Sequence, residues 1–227
     1  LSLAGALSWG EYIYTSTPRM TQTVDNSAEV IVENALVPYW ASHPVYKKDD
    51  SDNYLKNDGT ILTAEDDILY AAVDKVQKHY VPSTPQFAAD LGLNYRTNSY
   101  WFFEIDAQYF ANSYLDMNPL YRTDMAVAGP DKVITPMEIE YMSAQETFDP
   151  VFLLNASIGK SWYIDRKYNF GFSLNVQNIL NNKNVKTGGY EQTRLIDSKS
   201  MERYYRFDSK YFYMQGLNYM LNLYFRF

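Results

Sequence analysis

Apolar and polar residues alternate in six separate stretches of the chain. A period of two is that of a β-strand, whose successive side chains point to opposite faces. The clearest stretch is 211–227, where Leu217, Tyr219, Leu221, Leu223, Phe225 and Phe227 share one face and Gly216, Asn218, Met220, Asn222, Tyr224 and Arg226 the other. Stretch 170–182 sets Phe170, Phe172, Leu174 and Val176 against Gly171, Ser173, Asn175 and Gln177, and loses its alternation near Asn178, where a bulge or strand end is expected. In 151–164 the apolar face carries Phe152, Leu154, Ala156, Ile158, Trp162 and Ile164, interrupted by Lys160, which can snorkel beside Trp162. Stretches 101–116, 86–97 and 1–16 repeat the pattern through Trp101 to Tyr109, Phe87 to Tyr95, and Leu1, Leu3, Leu7 and Trp9.

The polar faces hold Glu104, Asp106, Asp90 and Arg96. A dry core would strand those charges, whereas a wet lumen would not. The connections fall into two kinds: 98–100 and 165–169 are turn-sized, while 17–85, 115–149 and 183–210 are long. Alternating tight periplasmic turns and long extracellular loops are the mark of an outer-membrane barrel. The expected fold is therefore all-β, an antiparallel transmembrane β-barrel with long extracellular loops, in which residues 1–227 form the C-terminal part of one barrel domain. Six strands fall short of the eight or so of the smallest such barrels, so further strands are expected from a longer polypeptide, or else from other copies. The chain starts at Leu1 without a methionine or a basic-then-apolar signal, and is read as processed or partial. Within the longest loop, Thr63 precedes Glu65 and Asp66, and Ile68, Leu69, Ala72, Val73 and Val76 recur at helical spacing up to Val81 and Pro82. One short loop helix over 64–79 is predicted.

Composition supports strands over membrane helices. Mean hydropathy is −0.40, and apolar runs such as 1–10 stop well short of the roughly 20 residues a helical span needs. The 22 Tyr, 12 Phe and 4 Trp suit the two aromatic girdles of a membrane barrel, although a Tyr-rich soluble β-sandwich would also use them. A net charge of −7 argues against nucleic acid, and the absence of cysteine removes thiolate chemistry and Cys-based metal sites. No catalytic group, metal or cofactor is expected. His43 and His79 have no spaced partner and read as surface residues, and the acidic run Asp49, Asp50, Asp52 and Asp58 fails the calcium-loop pattern, with Ile61 where a carboxylate would be needed. Glu104 and Asp106 share one strand face and read as lumen-lining groups. Gly188 and Gly189 lack the Lys-Ser or Lys-Thr of a phosphate loop.

Four passages carry a family likeness: STPQFAADLGLNYR at 83–96, YFANSYLDMNP at 109–119, LNASIGKSWYI with FGFSLNVQNILNNK within 154–183, and TGGYEQTR with KYFYMQGLNYMLNLYFRF within 187–227. They cover about half the chain and resemble the C-terminal barrel region of TonB-dependent outer-membrane receptors of the Bacteroidetes type. The resemblance implies a barrel of about 22 strands filled by an N-terminal plug, placed in the outer membrane of a Gram-negative bacterium. It also implies coupling to the TonB complex through that N-terminal part and import of a nutrient ligand. This chain would supply the last six strands. A non-transporting structural or assembly component, with surface lipoproteins as partners, is the alternative. The last strand also resembles the signal read by the barrel-assembly machinery, matched by Tyr219, Leu221, Leu223, Phe225 and Phe227. For a transporter, ligand contact is expected from Tyr114, Asn118, Tyr121, Arg122, Tyr190, Glu191 and Arg194, which combine stacking surface with hydrogen-bonding groups. The plainer reading is that these residues pack loops together.

Overall fold

The fold is given by a computed structural model, which describes residues 1–23, 27–82, 84–128, 133–165, 167–198 and 203–227. Strands make up 52% and helices 9% of it, so the class is all-β. No described helix is long and apolar enough to cross a membrane. Six strands form one antiparallel sheet: β1 (Ser2–Trp9), β2 (Phe87–Arg96), β3 (Trp101–Ala111), β4 (Val151–Ile164), β5 (Tyr168–Gln177) and β6 (Asn218–Arg226). They lie side by side in chain order, and each pairs with the next.

The register keeps like with like across the whole sheet, because a slip of one residue would turn a strand's apolar set to the wrong face. Leu3 sits opposite Leu93, Leu93 opposite Ile105, and Ile105 opposite Ala156. Ala156 then faces Val176, and Val176 faces Tyr219. On the other face Asn94 meets Glu104, Glu104 meets Ser157, Ser157 meets Asn175, and Asn175 meets Met220. The apolar face stands open to its surroundings: Leu3 is 70% exposed and Leu223 75%.

Aromatics gather at the two ends of that face. On the side of the short turns, Tyr95, Trp101, Phe103, Trp162, Phe170, Phe172 and Phe225 form one row, tied by a stacked Trp162–Phe170 pair at 4.9 Å and an edge-on Trp101–Phe172 pair at 6.0 Å. On the loop side stand Trp9, Phe87, Tyr109, Phe152 and Tyr219. Between the rows the face is aliphatic, through Leu91, Ala107, Leu154, Leu174 and Leu221.

On the polar face, aromatic rings close over glycines of the neighbouring strand. A Cβ at Gly171 would run into the Lys160 carbonyl and the Tyr224 phenol, and one at Gly159 into the Phe102 ring. Absent side chains thus let Tyr224 and Phe102 lie flat across the sheet, and the Tyr224 hydroxyl reaches Ser161 Oγ.

Strand ends follow from local chemistry. β5 stops where Asn178 adopts a φ of 51° and its side-chain amide donates to the carbonyls of Asn182 and Gln215. β3 stops at Asn112, φ 57°. The stretch 211–227 divides in two: Lys210–Tyr213 pairs with Lys186–Tyr190 in a separate hairpin, and only Asn218–Arg226 joins the sheet.

The predicted helix over 64–79 is not formed. Its proposed cap is a closed turn, in which Asp66 accepts from both the backbone and the hydroxyl of Thr63. Asp67 caps only a single 3-10 turn, Ile68–Tyr70. Val73–Lys78 is a strand paired with Ser42–Tyr46. Its valines are β-branched and exposed, so a helix there would gain no burial to offset its weak propensity. The longest described helix is Pro136–Ser143 instead.

Candidate functional site

The three long connections build a layer of their own at the loop end of the sheet. Its core joins Tyr46 and Ala71 of the first connection to Tyr121, Val127, Ile139 and Met142 of the second. Thr135 caps the helix Pro136–Ser143, accepting from the Glu138 amide and donating to the Glu138 carboxylate. Proline at its first position loses no needed donor there. The helix thus places Glu140 to accept from the Tyr46 amide at 2.7 Å and the Tyr54 hydroxyl at 3.0 Å. Burial first, and then that hydrogen bond to Glu140, push the Tyr54 phenol up to about 12.

Four of the seven candidate contact residues converge within this layer. Asn118, its side chain capping the 3-10 turn Pro119–Arg122, donates its backbone amide to Glu191 at 2.8 Å. Arg122 grips the same carboxylate with both terminal nitrogens, one contact measuring 2.9 Å, while also donating to the carbonyls of Asn118 and Ala144. Both side chains are sealed off, at 0% and 1% exposure. Arg206 comes within 3.5 Å of Glu191 as a second cation. Tyr121 donates from its hydroxyl to the Arg194 carbonyl at 2.5 Å. A fork-to-fork Arg–carboxylate pair without water is a strong, directional joint, and here it links the second connection to the third.

Tyr190, Arg194 and Tyr114 lie at the margin. Tyr190 and Arg194 are exposed, and the Arg194 guanidinium stands 5.6 Å over the Phe207 ring. Tyr114 stacks on Tyr80 at 4.3 Å, and both line a cleft of about 540 Å³ with Trp9, Glu11, Gln86 and Asn112. Gln145 clamps the neighbourhood, exchanging both amide hydrogen bonds with Tyr80 and donating to the Leu115 carbonyl. The structure therefore presents Tyr190 and Arg194 to solvent, leaves Tyr114 half-buried in the cleft, and turns Asn118, Tyr121, Arg122 and Glu191 inward.

The histidines depart from expectation. His43 and His79 are 4% and 0% exposed, with His43 Nδ1 2.8 Å from His79 Nε2. Because His79 Nδ1 lies 2.9 Å from the Trp40 carbonyl, it carries the proton there, and His43 Nδ1 donates to its neighbour. The pairing of Ser42–Tyr46 with Val73–Lys78, which His79 directly follows, brings together residues 36 positions apart, which no local spacing could signal. Burial pushes both imidazoles down to about 4. A group depressed below its unfolded value of about 6.5 favours the folded state above that pH, and that stability is lost as pH falls toward 4. We expect on the order of 3 kcal/mol less local stability at pH 4.5 than at pH 7, read as lower amide-exchange protection factors, corrected for the intrinsic pH dependence of exchange, across 39–46 and 76–81. Equal protection factors at both pH values would show the pair to be neutral in effect.

No family model matches the chain, and no curated protein matches it. Of the five residues expected to form an assembly signal, Tyr219, Leu221, Leu223 and Phe225 alternate along one face of β6, and Phe227 follows its end, 92% exposed. Among the described residues no group of three or more His, Asp or Glu side chains is placed to hold a metal. The acidic run instead makes local turns, with Asp49 accepting from the Ser51 and Asn53 amides.

Proposed function

We propose that this chain is the closing six-strand part of an outer-membrane β-barrel, of the TonB-dependent receptor type, that imports a nutrient ligand. The observation that carries the membrane reading is the apolar face shared by all six strands, interrupted among the described strand residues by one charge, Lys160, with an aromatic row at each end. From Phe152 to Trp162 the chain runs about 33 Å along β4 at the usual rise. At the ~40° tilt of a barrel strand, this is about 25 Å of height, the thickness of an outer-membrane apolar band. The opposite face, with Asp90, Glu104, Asp106 and Asn155, suits a wet lumen or a polar plug. The free edges of β1 and β6 are where the rest of the barrel would pair, since an open edge in lipid costs several kcal/mol per unpaired group.

Import is supported by the family likeness of the strand and loop passages and by the exposed Tyr190 and Arg194 and the half-buried Tyr114 at the mouth. The second reading, a structural or assembly component that transports nothing, is favoured by one observation: Asn118, Tyr121, Arg122 and Glu191 bind one another instead of lining a cavity. Uptake of labelled siderophore, cobalamin and oligosaccharide by cells expressing the complete receptor separates the two. Import predicts uptake of one of these that vanishes both on deletion and on inactivation of the TonB complex. Uptake unchanged by either loss would leave the structural reading.

A further inference from the structure

We propose that Lys160, Trp101 and Trp162 form a site for the phosphodiester of a phospholipid headgroup, on the leaflet next to the short turns. The inference rests on the lipid-facing reading of the apolar face given above. Along that face, among the described residues of the six strands, Lys160 is the only charged side chain. Its register sets it opposite Trp101 on β3 and Phe172 on β5. The ammonium nitrogen lies 4.8 Å from the Trp101 ring and 5.4 Å from the Trp162 ring.

Two indoles can stabilise a cation by about 0.5–2 kcal/mol. They accept no N–H···O bond, and an ammonium has three donors to satisfy. No carboxylate forms an ion pair with Lys160 among the described residues. A lysine left in hydrocarbon would cost a further 2.5–3.5 kcal/mol or so. Its height along the strand removes that cost, because it stands level with the turn-side aromatic row: the next residue, Ser161, donates its amide to the carbonyl of Tyr100, in the β2–β3 turn. Headgroups lie at the level of such a row.

A phosphodiester supplies what the ammonium lacks, a negative charge and oxygens that accept hydrogen bonds. The indole N–H groups add further donors, and Ile158, Phe172 and Leu174 offer apolar surface on which acyl chains can lie. Inorganic phosphate would find the charge but not the chains. The occupant that fits both is the lipid.

The test uses the complete barrel purified in dodecyl maltoside and titrated with dioleoylphosphatidylglycerol, with bound lipid counted by native mass spectrometry. Wild type and K160R should retain one lipid that K160Q holds about tenfold more weakly, the effect of one charge-assisted hydrogen bond. Excess inorganic phosphate should leave the wild-type lipid bound, a readout that needs no variant. Equal retention by K160Q, or displacement by inorganic phosphate, would overturn the site while leaving the face in lipid. A wild-type protein that binds no lipid and stays monomeric without detergent would overturn the site together with the membrane reading.

Discussion

Replacing Glu191 by alanine is expected to destabilise the loop layer by about 3–5 kcal/mol, the usual penalty for stranding one member of a buried ion pair. Arg122 would keep its charge at 0% exposure with only carbonyls to receive it, and Arg206 would stand beside it as an uncompensated second cation. Arg122 already has one buried nitrogen, Nε, without a hydrogen-bond partner, so the site has no slack to absorb a second loss. The double replacement R122M/E191L, which removes both charges and keeps the volume, should cost far less, because apolar groups of similar shape often substitute for a buried pair without penalty. Limited proteolysis and amide exchange across 115–128 and 186–194 read the difference. A Glu191→Ala variant within 1 kcal/mol or so of wild type would mean that water reaches Arg122, contrary to the geometry described.

The second large effect concerns the sheet. Leu221 lies on the aliphatic stretch between Tyr219 and Phe225, level with Leu174 on the neighbouring strand. If that face meets hydrocarbon, as proposed, an arginine at that height should cost about 2–4 kcal/mol. Asn222→Arg, one residue along and on the polar face opposite Ser173, should be close to neutral. Folded fraction in liposomes, measured by heat-modifiable gel mobility, compares the two. Equal losses at both positions would remove the distinction between the faces on which the functional reading stands.

The strands were legible because their signal is local: a period of two persists along each one, and the register then has little choice about which residues meet. Lys160 beside Trp162 was visible for the same reason. Its second indole, Trp101, needed the pairing of β3 with β4. The helix was misplaced by a competition between two similar signals. Thr63 followed by Asp66 resembles a cap, yet the carboxylate folds back on Thr63 and closes a turn. Thr135 followed by Pro136 and Glu138 has the sequence of a capping box, with Thr135 accepting from the Glu138 amide and proline at the first helical position. That signal was present in the sequence and is the one that forms a helix.

The candidate site was only half legible. Tyr121, Arg122 and Glu191 were recognisable as chemistry-bearing loop residues, but spacing cannot say whether an Arg and a Glu 69 positions apart will face a ligand or each other. The buried His43–His79 pair likewise depends on distant parts of one connection folding together, and the Tyr80–Tyr114 stack on contact between separate segments. Loop conformation is set by contacts between distant segments, and those leave no period in the sequence.

If one face of the six-stranded sheet lies in lipid and the other in water, as proposed, alternate positions along β5 should differ in their surroundings. The chain has no cysteine of its own, so single cysteines can be placed at Phe172, Ser173, Leu174, Asn175 and Val176 in the complete barrel, reconstituted in liposomes. The account predicts that cysteines at 172, 174 and 176 react with a lipid-soluble maleimide and resist a charged one, and that those at 173 and 175 show the lower lipid-phase reactivity of a lumen or plug-facing wall. Uniform labelling of all five by the charged reagent would contradict it.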